Sequence, residues 1–166
     1  MGPSTDAGIR ALAVRVAERL LGAGRSLVVA ESCTGGWVAK ACTDLPGSSQ
    51  WFLGGVVTYS DDLKAGLLGV SDDALREHGA VSQAVVREMA VGALEHLGGQ
   101  VAVAVSGIAG PDGGVPGKPV GTVWFAWAVR HADQLEVRAA LERFDGDREA
   151  IRRQAVACAL GGVLEV

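Results

Sequence analysis

Three segments of the chain combine nucleophilic or basic side chains with glycines in patterns that favour catalysis or ligand binding. The first, Glu31-Ser-Cys-Thr-Gly-Gly36, lies between an apolar, β-branched run and a helical pattern. Ser32 would therefore lie at the carboxyl end of a strand, where open α/β sheets bind their ligands. Gly35 and Gly36 would let backbone N–H groups at the start of the next helix approach a developing oxyanion. The alternative is that Ser32 or Thr34 only caps this helix and that the glycines only allow a tight turn.

The second segment, Tyr59-Ser-Asp-Asp-Leu-Lys64, contains one of the three lysines of a chain that has twelve arginines. Lysine can lose its proton and act as a base, which arginine cannot do. For that role near neutral pH the pKa of Lys64 must fall by about 3 from about 10.4, and burial is the usual cause. The start of a helix would lower this pKa, whereas Asp61 and Asp62 would raise it, so the net direction stays open. The alternative is an ordinary surface lysine.

The third segment is a glycine-dense loop, Ser106-Gly-Ile-Ala-Gly-Pro-Asp-Gly-Gly114, which continues as Gly117-Lys-Pro-Val-Gly-Thr122. Such a loop after a buried strand lets backbone amides approach a ligand, often a phosphate. It is not a P-loop, because Asp112 stands where the first glycine is required and Pro119 replaces the Ser/Thr. The chain also has no GxGxxG motif, so no dinucleotide cofactor is predicted. A plain long turn is the alternative reading of this loop.

The histidines and cysteines exclude several other chemistries. His78, His96 and His131 lie outside all three segments, which argues against a Ser–His–Asp triad, and there is no HExxH motif. The three cysteines form no CxxC pair, so we predict neither a metal site nor a cofactor. The remaining chemistry is a serine activated by a lysine. Cys33 is an alternative nucleophile, but no histidine or cationic residue lies near it in sequence to activate it.

The elements that must position these segments alternate between helices and strands. Apolar spacing predicts a helix from Ile9 that stops at Gly22 and Gly24, and Ser60 is a plausible cap for a short helix. Asp72 and Asp73 are expected to begin a further helix. The alternation implies a three-layer α/β/α sandwich around a mixed, mainly parallel sheet, with one domain over residues 1–166. The other predicted helices are 37–43, 83–96 and 147–164, and the predicted strands are 26–30, 52–59, 101–105, 120–129 and 135–144, the last two joined by a turn near 131–134.

Composition narrows the class of protein further. Of 166 residues, 49% are hydrophobic and 20% charged, which is typical of a globular domain. The formal net charge of -4 argues against binding to a nucleic-acid backbone. Charged residues interrupt the apolar N-terminal stretch, and no uncharged run reaches the roughly 18 residues of a membrane span, so neither a signal peptide nor a membrane anchor is predicted. An odd number of cysteines without a disulfide pattern suits a reducing compartment, and we expect a cytoplasmic protein.

Five motifs, taken in order, resemble the CinA C-terminal domain family over residues 30–160. They are AESCTGGWVAKACTDLPGSSQWF, VVTYSDDLKAGLLGV, HGAVS, SGIAGPDGG and GKPVGTVWFA. Stand-alone members of this family are nicotinamide-nucleotide amidohydrolases, which hydrolyse the linear carboxamide of nicotinamide mononucleotide to nicotinic acid mononucleotide and ammonia. The resemblance implies that Ser32 is the nucleophile and Lys64 the base. It also implies that Tyr59 supports the proton transfer or the amine.

The resemblance also implies a set of substrate-binding residues. The arginine of the family's GDR segment falls on Arg148, in the first turn of the last predicted helix, where a guanidinium and helix amides suit a 5′-phosphate. The remaining implied binding residues are Thr34, Gly35, Gly36, Ser106, Gly107, Gly110 and Gly113. A homo-oligomer is suggested by the resemblance alone. Two alternatives stay open: a non-catalytic nucleotide-binding or regulatory module, and an amidase of the same mechanism that acts on another carboxamide.

Overall fold

In the computed structural model, residue 2, residues 4–132 and residues 134–166 are described, and they form six α-helices and five strands. The helices are α1 (Asp6–Ala23), α2 (Trp37–Thr43), α3 (Asp61–Leu68), α4 (Asp72–His78), α5 (Gln83–Leu97) and α6 (Arg148–Val163). The strands are β1 (Leu27–Glu31), β2 (Phe52–Val57), β3 (Val101–Gly107), β4 (Thr122–Arg130) and β5 (Leu135–Arg143), and a 3-10 turn covers Ser48–Gln50. Asp133, inside the predicted turn 131–134, lies outside the described residues.

The described strands form one mixed sheet in the order β2-β1-β3-β4-β5. Strand β1 pairs in parallel with β2 and β3, whereas β3–β4 and β4–β5 are antiparallel. The predicted mixed α/β sheet is therefore confirmed, and the last two strands pair antiparallel as their short connection requires. The sheet is not mainly parallel as predicted, because β3 and β5 both run antiparallel to β4, so that parallel and antiparallel pairings are equal in number among the described strands.

Two apolar clusters on opposite faces of the sheet confirm the three predicted layers. Strand β1 is buried throughout, because alternate side chains point to opposite faces and both faces are covered. Leu27 and Val29 join the cluster of α1, α2 and α6, while Val28 and Ala30 join that of α3, α4 and α5. No helix of the described residues is long and apolar enough to cross a membrane.

Local signals explain where the helices begin and end. Ser60 caps α3 as predicted, its hydroxyl accepting the N–H of Leu63 at 3.2 Å. Helix α1 runs past Gly22, the first of its two predicted stop signals, and ends only at Gly24 with φ 61°. Gly22 is tolerated there because its backbone stays helical, whereas the left-handed Gly24 ends the helix.

Candidate active site

Ser32 and Lys64, which are distant in sequence, meet at the carboxyl ends of the parallel strands. The Lys64 Nζ lies 3.4 Å from the Ser32 Oγ. The same Nζ donates to the backbone carbonyls of Thr58 at 3.0 Å and Tyr59 at 3.3 Å. These two carbonyls orient the amine towards the serine. A hydroxyl next to a buried amine is an arrangement in which the amine can accept the hydroxyl proton.

Parallel pairing of β1 with β2 and β3 brings the two residues together. The Thr58 N–H, just beyond β2, donates to the carbonyl of Glu31 at 2.8 Å, and the Ser32 N–H donates to the carbonyl of Val105 at 3.0 Å. Both bonds extend the ladders of the sheet by one residue. Ser32 is therefore held directly at the carboxyl end of strand β1. Ser60 caps the start of α3, and from this start the helix directs Lys64 inwards.

Burial determines the proton affinity of Lys64. Its side chain is 1% exposed, so the surface-lysine alternative is wrong. Desolvation lowers the pKa of Lys64 below its ordinary value, while the Asp61 carboxylate, 3.8 Å from Nζ, and the Cys33 thiol oppose this by raising it. The lowering prevails, which resolves the direction that the sequence left open. A buried amine with a lowered pKa carries a larger neutral fraction near pH 7 and can act as a base.

The turn between β1 and α2 is capped by a residue that sequence reasoning missed. Glu31, 1% exposed, accepts N–H groups from Gly36 at 3.0 Å, Val38 at 3.1 Å and Ala39 at 2.8 Å. These amides at the start of α2 are therefore not free for an oxyanion, which corrects the prediction made for this turn. The sequence does contain a signal for this role, since a glutamate ends an apolar strand directly before the serine. A carboxylate buried at that position needs several hydrogen-bond donors.

Other amides of the turn remain available. Neither Ser32 nor Thr34 caps α2, whose N-cap is Gly36, a residue without a capping side chain. Among the described residues, the backbone N–H groups of Cys33 and Thr34 donate to no other residue. The Cys33 group directly follows Ser32, the position from which a backbone donor stabilises oxyanions in α/β-hydrolases. The buried Thr34 Oγ1 likewise has no partner in the described part of the chain.

Cys33 lies beside Ser32 but has the properties of a buried structural thiol. Its side chain is 5% exposed. Burial raises the pKa of the Cys33 thiol to about 12, and the charge of Glu31 contributes in the same direction. A thiol with such a pKa is fully protonated near neutrality and is a poor nucleophile. The alternative of a cysteine nucleophile therefore loses its chemical basis.

Tyr59 and Arg148 form the exposed side of the site. The Tyr59 side chain is 59% exposed, and its hydroxyl accepts a hydrogen bond from Arg148 Nη2 at 3.0 Å. Arg148 Nη1 donates to the carbonyl of Gly110 at 2.7 Å. Tyr59 thus meets Lys64 through its backbone carbonyl and meets Arg148 through its hydroxyl. Arg148 therefore joins the start of α6 to the second segment through Tyr59 and to the third through Gly110.

Packing accounts for most of the glycine-rich loop. A Cβ at Gly107 would come within 2.7 Å of the Val123 side chain, and one at Gly110 within 2.6 Å of Val120. The Ser106 hydroxyl donates to the carbonyl of Ala80 at 2.8 Å. These residues hold the loop against β4 and the start of α5, next to Arg148. Gly113, with φ 93°, lies in the exposed tip of the loop.

Arg152 is a second residue of the site that sequence reasoning missed. One turn after Arg148, it donates from Nε to the carbonyl of Cys33 at 3.0 Å and from Nη2 to that of Thr34 at 2.9 Å. Gly35 is required beneath it, because φ is 61° and a Cβ would lie 3.2 Å from Nη2. No local signal marks Arg152, since its partners are 118 and 119 residues away in sequence. Among the described residues, no group of three or more His, Cys, Asp or Glu side chains could hold a metal ion.

Comparisons with known proteins agree with the predicted family and with the fold. The family model of the CinA C-terminal domain matches residues 9–166. Nicotinamide-nucleotide amidohydrolase PncC of Escherichia coli strain K12 is 53% identical over 156 residues, which cover 94% of this chain and 93% of that protein. The PncC protein of Pseudomonas putida is 51% identical over 158 residues, covering 95% and 96%. The crystal structure of a CinA superfamily protein from Klebsiella pneumoniae 700603 superposes with a TM-score of 0.87 at 44% identity, covering 95% of this chain and 96% of that one.

Proposed function

The chain belongs to the CinA C-terminal domain family, and from that premise we propose that it is an amidohydrolase that converts nicotinamide mononucleotide to nicotinic acid mononucleotide and ammonia. Relatives that are 51% and 53% identical over nearly their whole length are named nicotinamide-nucleotide amidohydrolases. The observation that carries the proposal for this chain is the buried Lys64 amine 3.4 Å from the Ser32 hydroxyl. We also propose a cytoplasmic location, in keeping with a pyridine-nucleotide substrate.

In the proposed first half-reaction, Ser32 attacks the carboxamide carbon of the substrate. Neutral Lys64 accepts the hydroxyl proton as the Oγ–C bond forms, and the carbonyl oxygen becomes an oxyanion. The N–H groups of Cys33 and Thr34, which donate to no other described residue, are the donors for this oxyanion. Collapse of the tetrahedral intermediate breaks the C–N bond, and Lys64 returns the proton to the leaving nitrogen, which departs as ammonia. An ester between Ser32 and the nicotinoyl group remains.

In the second half-reaction, water hydrolyses this ester. Lys64, again neutral, accepts a proton from the attacking water. The second tetrahedral intermediate breaks the bond to Ser32 Oγ, which regains its proton from Lys64. The products are the free serine and nicotinic acid mononucleotide, whose carboxylic acid releases its proton to solvent and becomes the carboxylate. One lysine thus transfers a proton in both halves of the reaction, and no metal or cofactor takes part in the proposed steps.

Arg148 is the residue that we propose for the phosphate of the substrate. A guanidinium has five N–H donors, and the described contacts to Tyr59 and Gly110 use two of them. In a chain of net charge -4, a phosphate needs such a local cation. The exposed Tyr59 hydroxyl accepts from Arg148 and keeps its own proton to donate to the ligand. We further propose that the backbone near Thr34, Gly35 and Gly36 and the loop containing Ser106, Gly107, Gly110 and Gly113 line the rest of the substrate site.

The test is ammonia release from nicotinamide mononucleotide by the purified protein in the presence of a metal chelator. We expect turnover by the wild type and a loss of about three orders of magnitude or more in kcat for Ser32→Ala and for Lys64→Met. Lys40→Met is the matched control, because Lys40 is an exposed lysine paired with Asp44. Unchanged turnover in Ser32→Ala would refute the proposed nucleophile. Binding of the mononucleotide without ammonia release by the wild type would instead indicate a non-catalytic nucleotide-binding module.

A further inference from the structure

Glu31 and Arg152, to which the proposed reaction assigns no role, both hold the turn that follows Ser32. Glu31 binds N–H groups of this turn, and Arg152 binds its C=O groups. The Glu31 carboxylate accepts three backbone N–H groups at the start of α2, with Oε2 bonded to Gly36 and Val38 and Oε1 to Ala39. Both carboxylate oxygens are therefore in use. Because Glu31 is also the last residue of β1, its side chain ties the end of the strand to the beginning of the helix.

Arg152 binds the same turn through its carbonyl groups. Its guanidinium donates from Nε to Cys33 and from Nη2 to Thr34, at 3.0 and 2.9 Å. The group lies over the Trp37 ring, 5.5 Å from the ring centroid, which restricts its orientation. Such a planar fork fixes two acceptors at once, whereas a lysine ammonium offers a single point charge without fixed direction.

Glu31 binds N–H groups and Arg152 binds C=O groups of one short turn, and this turn directly follows Ser32 in the chain. The separation of Ser32 Oγ and Lys64 Nζ, 3.4 Å, is at the long end of hydrogen-bond distances. Such contacts shorten when a substrate binds, provided that the backbone holds both groups in register. A small displacement of the turn would therefore separate the nucleophile from its base.

We infer that Glu31 and Arg152 are positioning residues that set the Ser32 hydroxyl against the Lys64 amine and direct the Cys33 and Thr34 N–H groups to the reacting carbonyl. This inference rests on the proposed amidohydrolase function. It assigns neither residue a contact with the substrate. Changes at either position should therefore reduce the rate of the chemical step and leave substrate binding nearly unchanged.

Two conservative variants test the inference. In Glu31→Gln, the amide NH2 must face at least one backbone N–H that now meets a carboxylate oxygen, so at least one of the three bonds is lost. In Arg152→Lys, the positive charge is kept and the two-point contact is lost. Arg153→Lys is the matched control, since Arg153 also lies over Trp37 but bonds outwards to Asp6 and Glu149. Arg152→Lys keeps the test valid if Glu31→Gln does not fold.

Steady-state kinetics with nicotinamide mononucleotide separate positioning from a merely structural role. We expect kcat to fall by about ten- to a hundredfold in both variants, because a displacement of about 1 Å has such an effect. KM should change by less than about threefold, and Arg153→Lys should match the wild type in both constants. A lower melting temperature with unchanged kcat, or an equal loss in Arg153→Lys, would overturn the inference.

Crystal structures of the wild type and the three variants provide a readout that does not depend on turnover. We expect the distance from Ser32 Oγ to Lys64 Nζ to exceed hydrogen-bond range in Glu31→Gln and Arg152→Lys, and to stay near its present value in Arg153→Lys. An unchanged distance in the first two variants would contradict the inference. If the wild type released no ammonia, the proposed function would fail, and these distances would still decide whether the two residues position the serine.

Discussion

At the scale of single residues, opposing electrostatic effects meet on Lys64. Burial lowers its pKa, and the Asp61 carboxylate at 3.8 Å raises it. Asp61 is exposed, so solvent screens its charge, whereas the lysine side chain is almost fully enclosed. This explains why burial prevails. A single substitution of the exposed Asp61 should therefore change the pKa of Lys64, the proposed base.

Replacing that surface carboxylate should change the pH dependence of the reaction in a fixed direction. The proposed base works as the neutral amine, so kcat/KM rises with pH as Lys64 loses its proton. Because Asp61 raises the pKa of Lys64, Asp61→Asn lowers that pKa further, and the rising part of the pH profile should move to lower pH. Asp62→Asn is the control, since Asp62 does not contribute to the shift. A move to higher pH, or the same move in both variants, would contradict the role of Lys64.

The neighbouring thiol gives a second prediction at this scale. Because burial raises the pKa of Cys33 to about 12, we expect Cys33→Ala to keep kcat within about threefold of the wild type, as no catalytic group is removed. Iodoacetamide near pH 7.5 should likewise leave activity intact, since the protonated thiol reacts slowly. Ammonia release measures both. Loss of activity in Cys33→Ala, together with residual turnover in Ser32→Ala, would reverse the assignment of the nucleophile.

At the scale of helices and strands, the sequence predicted what depends on local pattern. Strand β1 could be predicted because a short apolar run buried on both faces leaves a clear signal, and α3 because Ser60 and two aspartates mark its first turn. The position of Ser32 at the end of a strand followed from the same signals. The burial of Lys64 could not be predicted, because it depends on how α3 lies against the rest of the fold. The role of Arg152 could not be predicted either, because its partners lie near the other end of the chain.

The glycines of the third segment show that a sequence pattern can also suggest ligand binding where packing already requires the same residues. A glycine-dense loop after a strand favours phosphate binding, yet Gly107 and Gly110 are already required by close contact with Val123 and Val120. Sequence alone does not separate these two reasons for a glycine. The same holds for the amides of α2, which the pattern assigned to an oxyanion and the Glu31 carboxylate occupies.

The packing of α3 on α5 gives a prediction at the scale of elements. A Cβ at Gly92 in α5 would overlap the backbone carbonyl of Leu68 at the end of α3. Gly92→Ala should therefore push α3 outwards, reduce the free energy of unfolding by about 1–3 kcal/mol and lower kcat, because α3 carries Lys64. Denaturation in urea measures the first effect and ammonia release the second.

A glycine of α3 itself provides the control for this change. Gly66 is exposed, and a Cβ there would meet nothing within 4 Å. Gly66→Ala should therefore raise the free energy of unfolding by roughly 0.4–1 kcal/mol, because alanine restricts the unfolded chain and favours the helix. Equal stability of the two variants would show that the close approach of α3 to α5 does not position the lysine.

At the scale of the whole molecule, the candidate site unites segments from all parts of the chain. Ser32, Lys64, Gly110 and Arg148 come from four segments, and the contact between Tyr59 and Arg148 spans 89 residues of sequence. Ser32 follows β1 and Lys64 lies in α3, which follows β2, so both depend on the parallel half of the sheet. The antiparallel strands then return the chain so that α6 begins beside these two residues. No single segment of the chain can form the site without the others. Ligand binding should therefore be coupled to global unfolding.

This coupling leads to a prediction about nucleotide binding and thermal stability. In Ser32→Ala, which under the proposed mechanism does not turn over the substrate, nicotinamide mononucleotide should stabilise the folded protein by about 2.7 kcal/mol at a hundredfold excess over its Kd. Nicotinamide riboside, which lacks the phosphate, should stabilise it much less at the same concentration. Adding Arg148→Ala should remove the difference between the two ligands, whereas adding Arg153→Ala should preserve it. Calorimetry should show one transition that moves as a whole, because the four segments unfold together. Equal shifts for both ligands in Ser32→Ala would show that the phosphate is not bound, and with it Arg148 would lose its proposed role.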